Sequence, residues 1–450
     1  MKKLCKPTLR PTIAWLVILI LTLTSCIGCA KQGAENGENS GSEPAKENEI
    51  VDLMQNVTVD VLDIEAVSVE NDFCVDAADF AIALLQENMT NENENVMVSP
   101  VSALMALAMT ANGARGDTRE QMLAVLAPNQ SMDDLNSNIK NWADGLVSTD
   151  TASVKIANSI WFDDSAEDIT VNEIFLQRNA LYYHADIYQT AFQDSTVSAI
   201  NQWVSDKTDG MITNILEQIP TDTRMYLLNA VSFDARWKKE YWPNDVHERT
   251  FTNAFGEKET AEMMSSEEYS YNYIEDADSV GFIKPYKDGY SFVGILPDEG
   301  MSTKEYIDTL SGEHFLNMIA EAGLDVDILE VELPKFEAEY EIELSDKLQN
   351  MGMADAFDAG KADFSGITKL EAGDNAENLI ISGVHHKTYI KVDELGTKAA
   401  ASSAAAMFTT SDDGGLTIAY VKLNRPFIYA IVENETNVPI FIGVVNSVVK

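Results

Sequence analysis

An α+β fold is predicted by three features of this 450-residue chain. Apolar residues recur at helical spacing early, strand-like runs concentrate later, and no Gly-rich phosphate loop follows any of those runs. Helices followed by strands argue against a doubly wound parallel sheet, in which the two alternate. With 45% apolar and 23% charged residues, the chain can bury a sizeable core without disulfide or metal staples.

The first residues stand apart from that fold. Lys2, Lys3, Lys6 and Arg10 precede an apolar run from Ile13 to Leu23, with no acidic residue before Cys26. This is the pattern of a secretory signal peptide, placed at residues 1–25. Leu23-Thr24-Ser25-Cys26 resembles the lipobox of bacterial lipoproteins, in which the Cys becomes a lipid-bearing N-terminus. Lipidation of Cys26 would hold the protein at a membrane surface, because each buried methylene contributes about 0.8 kcal/mol. No 18-residue apolar stretch follows, so nothing else is expected to span. Residues 26–70 read as a flexible acidic linker, rich in Gly, Ser, Glu and Asn at first and partly ordered from residue 50 on. The remainder, 71–450, reads as the folded domain.

Within it, Phe73–Met89 carries Phe80, Leu84 and Leu85 at helical spacing. Val101–Ala111 is apolar on nearly every side and should be a buried helix, opened by Ser99-Pro100. Ser198–Leu216 reads as a further helix through Ile200, Trp203, Val204 and Ile212. Strands are expected at Tyr226–Phe233, Ser291–Leu296, Leu329–Phe336, Thr388–Val392, Ile418–Leu423, Phe427–Val432 and Pro439–Val445.

A net charge of −42 argues against a nucleic-acid partner, which needs a basic footprint, and against adsorption to anionic lipid. Of four cysteines, Cys5 leaves with the signal and Cys26 takes lipid, so Cys29 and Cys74 give no disulfide framework. Neither G-x-S-x-G nor H-E-x-x-H occurs. His385-His386, the one close His pair, has no ligands at metal spacing and reads as one buried and one exposed histidine. No cofactor or metal is called for.

The informative stretch is Glu394-Leu395-Gly396-Thr397-Lys398, followed by eight consecutive Ala and Ser residues from Ala399 to Ala406 and then Met407-Phe408-Thr409-Thr410-Ser411. An Ala-rich helix is one reading. A linker fits less well, because strands flank the stretch on both sides.

Several motifs together resemble the serpins, a family of protease inhibitors that act by a conformational trap. They are Asn95-Val96-Met97-Val98-Ser99-Pro100-Val101-Ser102, Asn201-Gln202-Trp203-Val204 with Thr208-Asp209-Gly210-Met211-Ile212, and Leu228-Asn229-Ala230-Val231-Ser232-Phe233 with Trp237. Leu333-Pro334-Lys335-Phe336, His386-Lys387-Thr388, Asn424-Arg425-Pro426-Phe427 and Pro439-Ile440-Phe441-Ile442-Gly443 complete the set. The resemblance covers about Phe73 to Lys450 and implies three β-sheets, eight or nine helices and an exposed reactive loop from about Gly396 to Val421. It implies that a serine protease attacks the loop and that the cleaved loop then inserts as a strand of the central sheet, trapping the acyl-enzyme. Such a protein is an inhibitor and not an enzyme, a monomer outside the cell, whose partner is the protease.

The loop itself suits insertion. A strand alternates faces, and Thr397, Ala399, Ala401, Ser403, Ala405 and Met407 share one parity that is uncharged and small except for Met. The other parity carries the one charge, Lys398, outward. Residues 397–410 lack Pro and would span about 46 Å at about 3.3 Å each. By resemblance, Glu394 and Gly396 belong to the hinge, and Lys335, Glu394 and Trp237 guard the point of entry (the breach). Ser99, Ser102, Asn229 and His386 match the central hydrogen-bonded cluster (the shutter). Two departures are Leu395, where the family usually has a charge, and Asp234-Ala235-Arg236 after Phe233, where Lys-Gly is usual.

Counting from Gly396 puts the reactive bond at Thr410–Ser411, with Thr409–Thr410, Met407–Phe408 and Phe408–Thr409 as neighbouring registers. No Lys or Arg lies between Lys398 and Lys422, which excludes a trypsin-like target; Thr at the cleaved position suits an elastase-like or subtilisin-like one, and cleavage at Met407 or Phe408 would suit a chymotrypsin-like one. The alternatives are a non-inhibitory member acting as a binding or chaperone module, and a solute-binding lipoprotein or hydrolase.

Overall fold

The computed structural model describes residues 49–59, 69–91, 93–165, 169–269, 272–323, 326–368, 378–397 and 417–449. Its architecture is α+β, as expected, with three sheets among the described residues. The central sheet has the order β1 (Val51–Asp52), β4 (Asp186–Thr190), β3 (Ala152–Asp163), β5 (Met225–Arg236), β14 (Gly396–Thr397), β13 (Gly383–Asp393) and β12 (Phe336–Glu343). A second sheet runs β2 (Val96–Val98), β17 (Pro439–Val445), β16 (Phe427–Glu433), β10 (Tyr290–Pro297), β9 (Ser279–Pro285) and β8 (Tyr273–Glu275). The third runs β15 (Ile418–Lys422), β11 (Ile328–Pro334), β7 (Lys258–Glu268) and β6 (Val246–Thr252).

Burial explains which sequence signals were clear. The helix α2 (Pro100–Ala111) is buried at every residue and packs on β3, β5 and β17. On the opposite face of the central sheet, α6 (Asp194–Lys207) lays Ile200, Trp203 and Val204 over Ala157, Trp161, Leu228 and Ala230. With both faces covered, β5 reads as a continuous apolar run instead of an alternating one. At the sheet's edge, β12 alternates strictly and turns Glu337, Glu339, Glu341 and Glu343 away from the core.

The linker assigned to 26–70 contains one described element, β1, which pairs antiparallel with β4. The helix expected at Ser198–Leu216 stops at Lys207, because Asp209 and Gly210 take positive φ (52° and 74°). Ile212, Ile215 and Leu216 are still buried against its cluster, held by Asn201, whose Oδ1 accepts from the N–H groups of Ile215 and Leu216. The strand expected at Leu329–Phe336 is two strands in two sheets, β11 ending at Pro334 and β12 starting at Phe336. Pro334 has no N–H to continue a ladder. No helix among the described residues is long and apolar enough to cross a membrane.

Candidate functional site

β5 and β13 run parallel and pair directly from Tyr226 to Val231 and from Gly383 to Thr388. Beyond that row the strands part, and β14 lies between them, antiparallel to both. Thr397 stands opposite Ala235 on one side and Val392 on the other. The chain reaches this position by reversing after Asp393, whose Oδ1 accepts the Leu395 N–H at 2.9 Å. Only glycine fits at the point of entry. A Cβ on Gly396 would stand 2.0 Å from the Ala235 carbonyl oxygen. Thr397 is fully buried, with its Oγ1 2.7 Å from the Tyr286 hydroxyl.

Aromatic and charged residues grip the reversal. The Trp237 indole donates to the Asp393 carbonyl at 2.8 Å, and its ring stacks on Tyr286 at 4.3 Å. The backbone N–H groups of Trp237 and Tyr241 donate to the carbonyls of Leu395 and Glu394. Lys335 reaches Glu394 at 2.8 Å and Glu262 at 3.4 Å. Burial works against the Lys335 charge, but the two carboxylates outweigh it and hold its pKa above the ordinary lysine value. Burial likewise opposes the Glu394 carboxylate, yet its bond to Lys335 brings its pKa below the usual range. Beneath them Lys284 and Glu268 form a fully buried pair at 2.6 Å, with the ammonium 4.3 Å from the Tyr241 ring centre.

A second cluster holds β5 to β13 where they do pair. His386 Nδ1 donates to Asn229 Oδ1 at 2.6 Å, and its Nε2 accepts the Ser99 N–H at 3.0 Å. Asn229 Nδ2 donates to Asn158 Oδ1 at 2.6 Å, and Ser102 reaches the same oxygen at 3.5 Å. Ser99 Oγ donates to the Ile440 carbonyl at 2.7 Å. The chain thus ties β3, β5, β13, α2 and β17 through one row. Both ring nitrogens are committed to the neutral imidazole, and burial lowers the His386 pKa to about 4. His385 is half-buried, not exposed as expected, because its ring packs edge-on against Tyr226 at 4.9 Å.

The sequence-predicted residues thus fall into two places. Lys335, Glu394, Trp237, Gly396 and Thr397 meet at the open end of the strand pair, and Ser99, Ser102, Asn229 and His386 meet at its closed middle. Ala399, Ala401, Ser403, Ala405, Met407, Phe408, Thr409, Thr410, Ser411 and Cys26 lie outside the described residues. Sequence reasoning missed Asn158, Tyr286, Lys284 and Glu268. An Asn at an otherwise apolar position of a central strand was a signal for the first. Lys284, flanked by apolar Phe282, Ile283 and Pro285, was one for the third.

Three sheets, with the short β14 lying between the parting ends of two parallel strands of the central one, define the class of fold. The family model described as Serpin (serine protease inhibitor) matches residues 76–448. The chain is 30% identical over 374 residues to Serpin B6 of Pongo abelii, covering 81% of this chain and 96% of the relative. It is 32% identical to leukocyte elastase inhibitor of Xenopus tropicalis, over 79% of this chain and 94% of the relative. Among solved structures, the native state of the thermophilic serpin tengpin is 44% identical with a TM-score of 0.81, covering 89% of this chain and all of that one. The protein belongs to the serpin family, whose members are generally protease inhibitors and not enzymes.

Two expectations follow. Replacing Tyr286 with Phe leaves the buried Thr397 hydroxyl without its partner, a cost of about 1–3 kcal/mol. Hydrogen exchange at the Gly396 and Thr397 amides of β14 is expected to quicken by tenfold or more, with exchange in the paired stretch of β5 and β13 unchanged. His386 supplies the second. Its folded pKa of about 4 lies below the ordinary histidine value, so the unfolded chain binds the proton first. Its contribution, about 3 kcal/mol, is complete above pH 6.5 and is lost as pH falls from 6.5 toward 4. Thermal midpoints at pH 7.5 and 5 check this. The drop should be smaller in His386→Gln than in the parent.

Proposed function

We propose that this serpin is a suicide-substrate inhibitor of serine proteases, of elastase-like or subtilisin-like specificity, tethered outside a bacterial membrane through lipid on Cys26. The observation that carries the reading is the placement of Gly396–Thr397, which occupies the gap between β5 and β13 with Thr397 turned into the core. The leukocyte elastase inhibitor among its relatives and the absence of Lys and Arg from 399–421 support the choice of protease.

In the inserted state proposed here, the register started by Thr397 would run on down the gap. Continued downward, it sets Ala399 opposite Phe233 and Ile390, and Ala401 opposite Val231 and Thr388. Ala405 meets Leu227 and Val384, and Met407 meets Met225 and Ser382. Most of those partners are buried in the main core, where close packing favours small incoming side chains. Ser403 is the one hydroxyl in this series below Thr397. It arrives opposite Asn229 and His386, where a polar side chain meets polar partners.

The chemistry begins when the protease serine attacks the Thr410 carbonyl. An ester forms, the Thr410–Ser411 peptide bond breaks, and the leaving Ser411 amine takes the proton. Water would ordinarily cleave the ester. Insertion competes with that step. It would replace the single ladder between β5 and β13 with two, one to each strand. The acylated protease is pulled along the sheet and its catalytic geometry is disturbed before deacylation.

Incubation with an elastase tests the reading. A product of summed mass that survives boiling in detergent is expected, and a cleaved chain alone would favour the non-inhibitory alternative. Thr397→Arg places a charge at a buried position of the gap. It is expected to raise the number of chains cleaved per protease trapped by about tenfold or more, which takes about 1.4 kcal/mol in the competing barriers. An unchanged ratio would contradict the inward parity.

A further inference from the structure

The two ends of the central sheet are unlike. One end holds the entry point, in the row of Ala152, Ala235 and Thr397. At the other end, the N-terminal strand β1 completes the sheet. Val51 stands opposite Gln189, Gln189 opposite Phe162, and Phe162 opposite Met225. The ten residue-to-residue steps along β5 from Ala235 to Met225 separate the two rows by about 33 Å. The register that continues from Thr397 brings Met407 to Met225, and so to the same row as Val51. Strands β5, β3 and β4 lie between an inserted loop and β1, four spacings or about 19 Å.

We propose that the tether leaves the protein from the end of the sheet to which a trapped protease is carried, so that the spacer between Cys26 and Val51 must be long enough to lodge the protease between sheet and membrane. The inference rests on the inhibitor reading above and deepens it. After insertion, the protease occupies the membrane-facing side.

Lengths decide whether this works. Residues 27–50 number twenty-four and reach at most about 80 Å. A serine protease domain of about 230 residues has a radius of gyration of about 17 Å, hence a diameter of about 45 Å. At full extension the natural spacer would exceed that diameter. A spacer of ten residues, reaching about 34 Å, would not.

The test compares the parent with a variant lacking residues 31–44, which keeps Cys26 to Ala30 for lipid attachment and leaves β1 intact. A third variant replaces those residues with fourteen Gly and Ser. Each is prepared lipidated on phosphatidylethanolamine–phosphatidylglycerol vesicles and, separately, without lipid in solution. Labelled palmitate reports anchoring and should be lost in Cys26→Ala. In solution all three are expected to trap elastase equally. On vesicles the parent and the Gly-Ser variant should trap it, while the shortened chain is mostly cleaved, its ratio of cleaved to trapped chain rising several-fold. Equal ratios on vesicles would overturn the inference, as would failure to take up palmitate. Failure of every chain to trap in solution would instead overturn the inhibitor reading on which it rests.

Discussion

The pairing of β5 with β13 stops at Val231 and Thr388, and the rest of the account depends on that interruption. Two parallel strands in the middle of a large sheet normally pair along their length, because an unpaired buried N–H or C=O costs about 1–3 kcal/mol. Here the ladder opens over the last few residues of each strand, and Gly396 and Thr397 satisfy part of the opened edge. The fold therefore holds a strand position that is begun and not completed, and the sequence that follows has the right parity to complete it.

Two polar assemblies keep the remainder closed, and they differ in kind. The one at the entry is charged and partly solvated, and its Lys335–Glu394 pair lies where screening weakens such contacts. It positions the reversal more than it stabilises it. The Trp237–Tyr286 stack and the buried Lys284–Glu268 pair beneath give that reversal a rigid floor. The one in the middle is neutral and fully buried, so every bond in the run from Ser99 through His386 and Asn229 to Asn158 must be made or replaced. In the insertion proposed above, parting the strands there would break the His386–Asn229 bond, and Ser403 would bring a hydroxyl to the same row. A loop with only alanine at that register would leave both groups unsatisfied.

Much of this was legible in the sequence because the constraints are local. Pro100 after Ser99 marked the start of α2, and the apolar run from Pro439 to Val445 marked β17 to the residue. The small-residue run after Gly396 displayed its period directly. What was not legible depends on contacts between distant segments. β3, the long neighbour of β5, begins with Ala152-Ser153-Val154-Lys155, a mixed pattern because its first turns of chain are only half covered. The ending of α6 turned on backbone conformation at Asp209 and Gly210, whereas the apolar residues beyond remained buried and mimicked helical continuity. The division of 329–336 between two sheets turned on Pro334, whose effect was visible only once both partners were known. The partnership of Tyr286 with Thr397, 111 residues apart, had no local trace at all.

The inhibitor proposed above requires that the intact chain be held short of its most stable arrangement by the continuity of residues 398–416. Differential scanning calorimetry of the intact protein and of the same protein nicked once within residues 398–416 addresses it most directly. A strand gained at the centre of the sheet should raise the melting temperature of the nicked form by well over the 4–8 °C that about 1 kcal/mol produces in a small domain. Equal melting temperatures, or a lower one after nicking, would mean that no stored driving force exists and that the unfinished strand position is merely a feature of the fold.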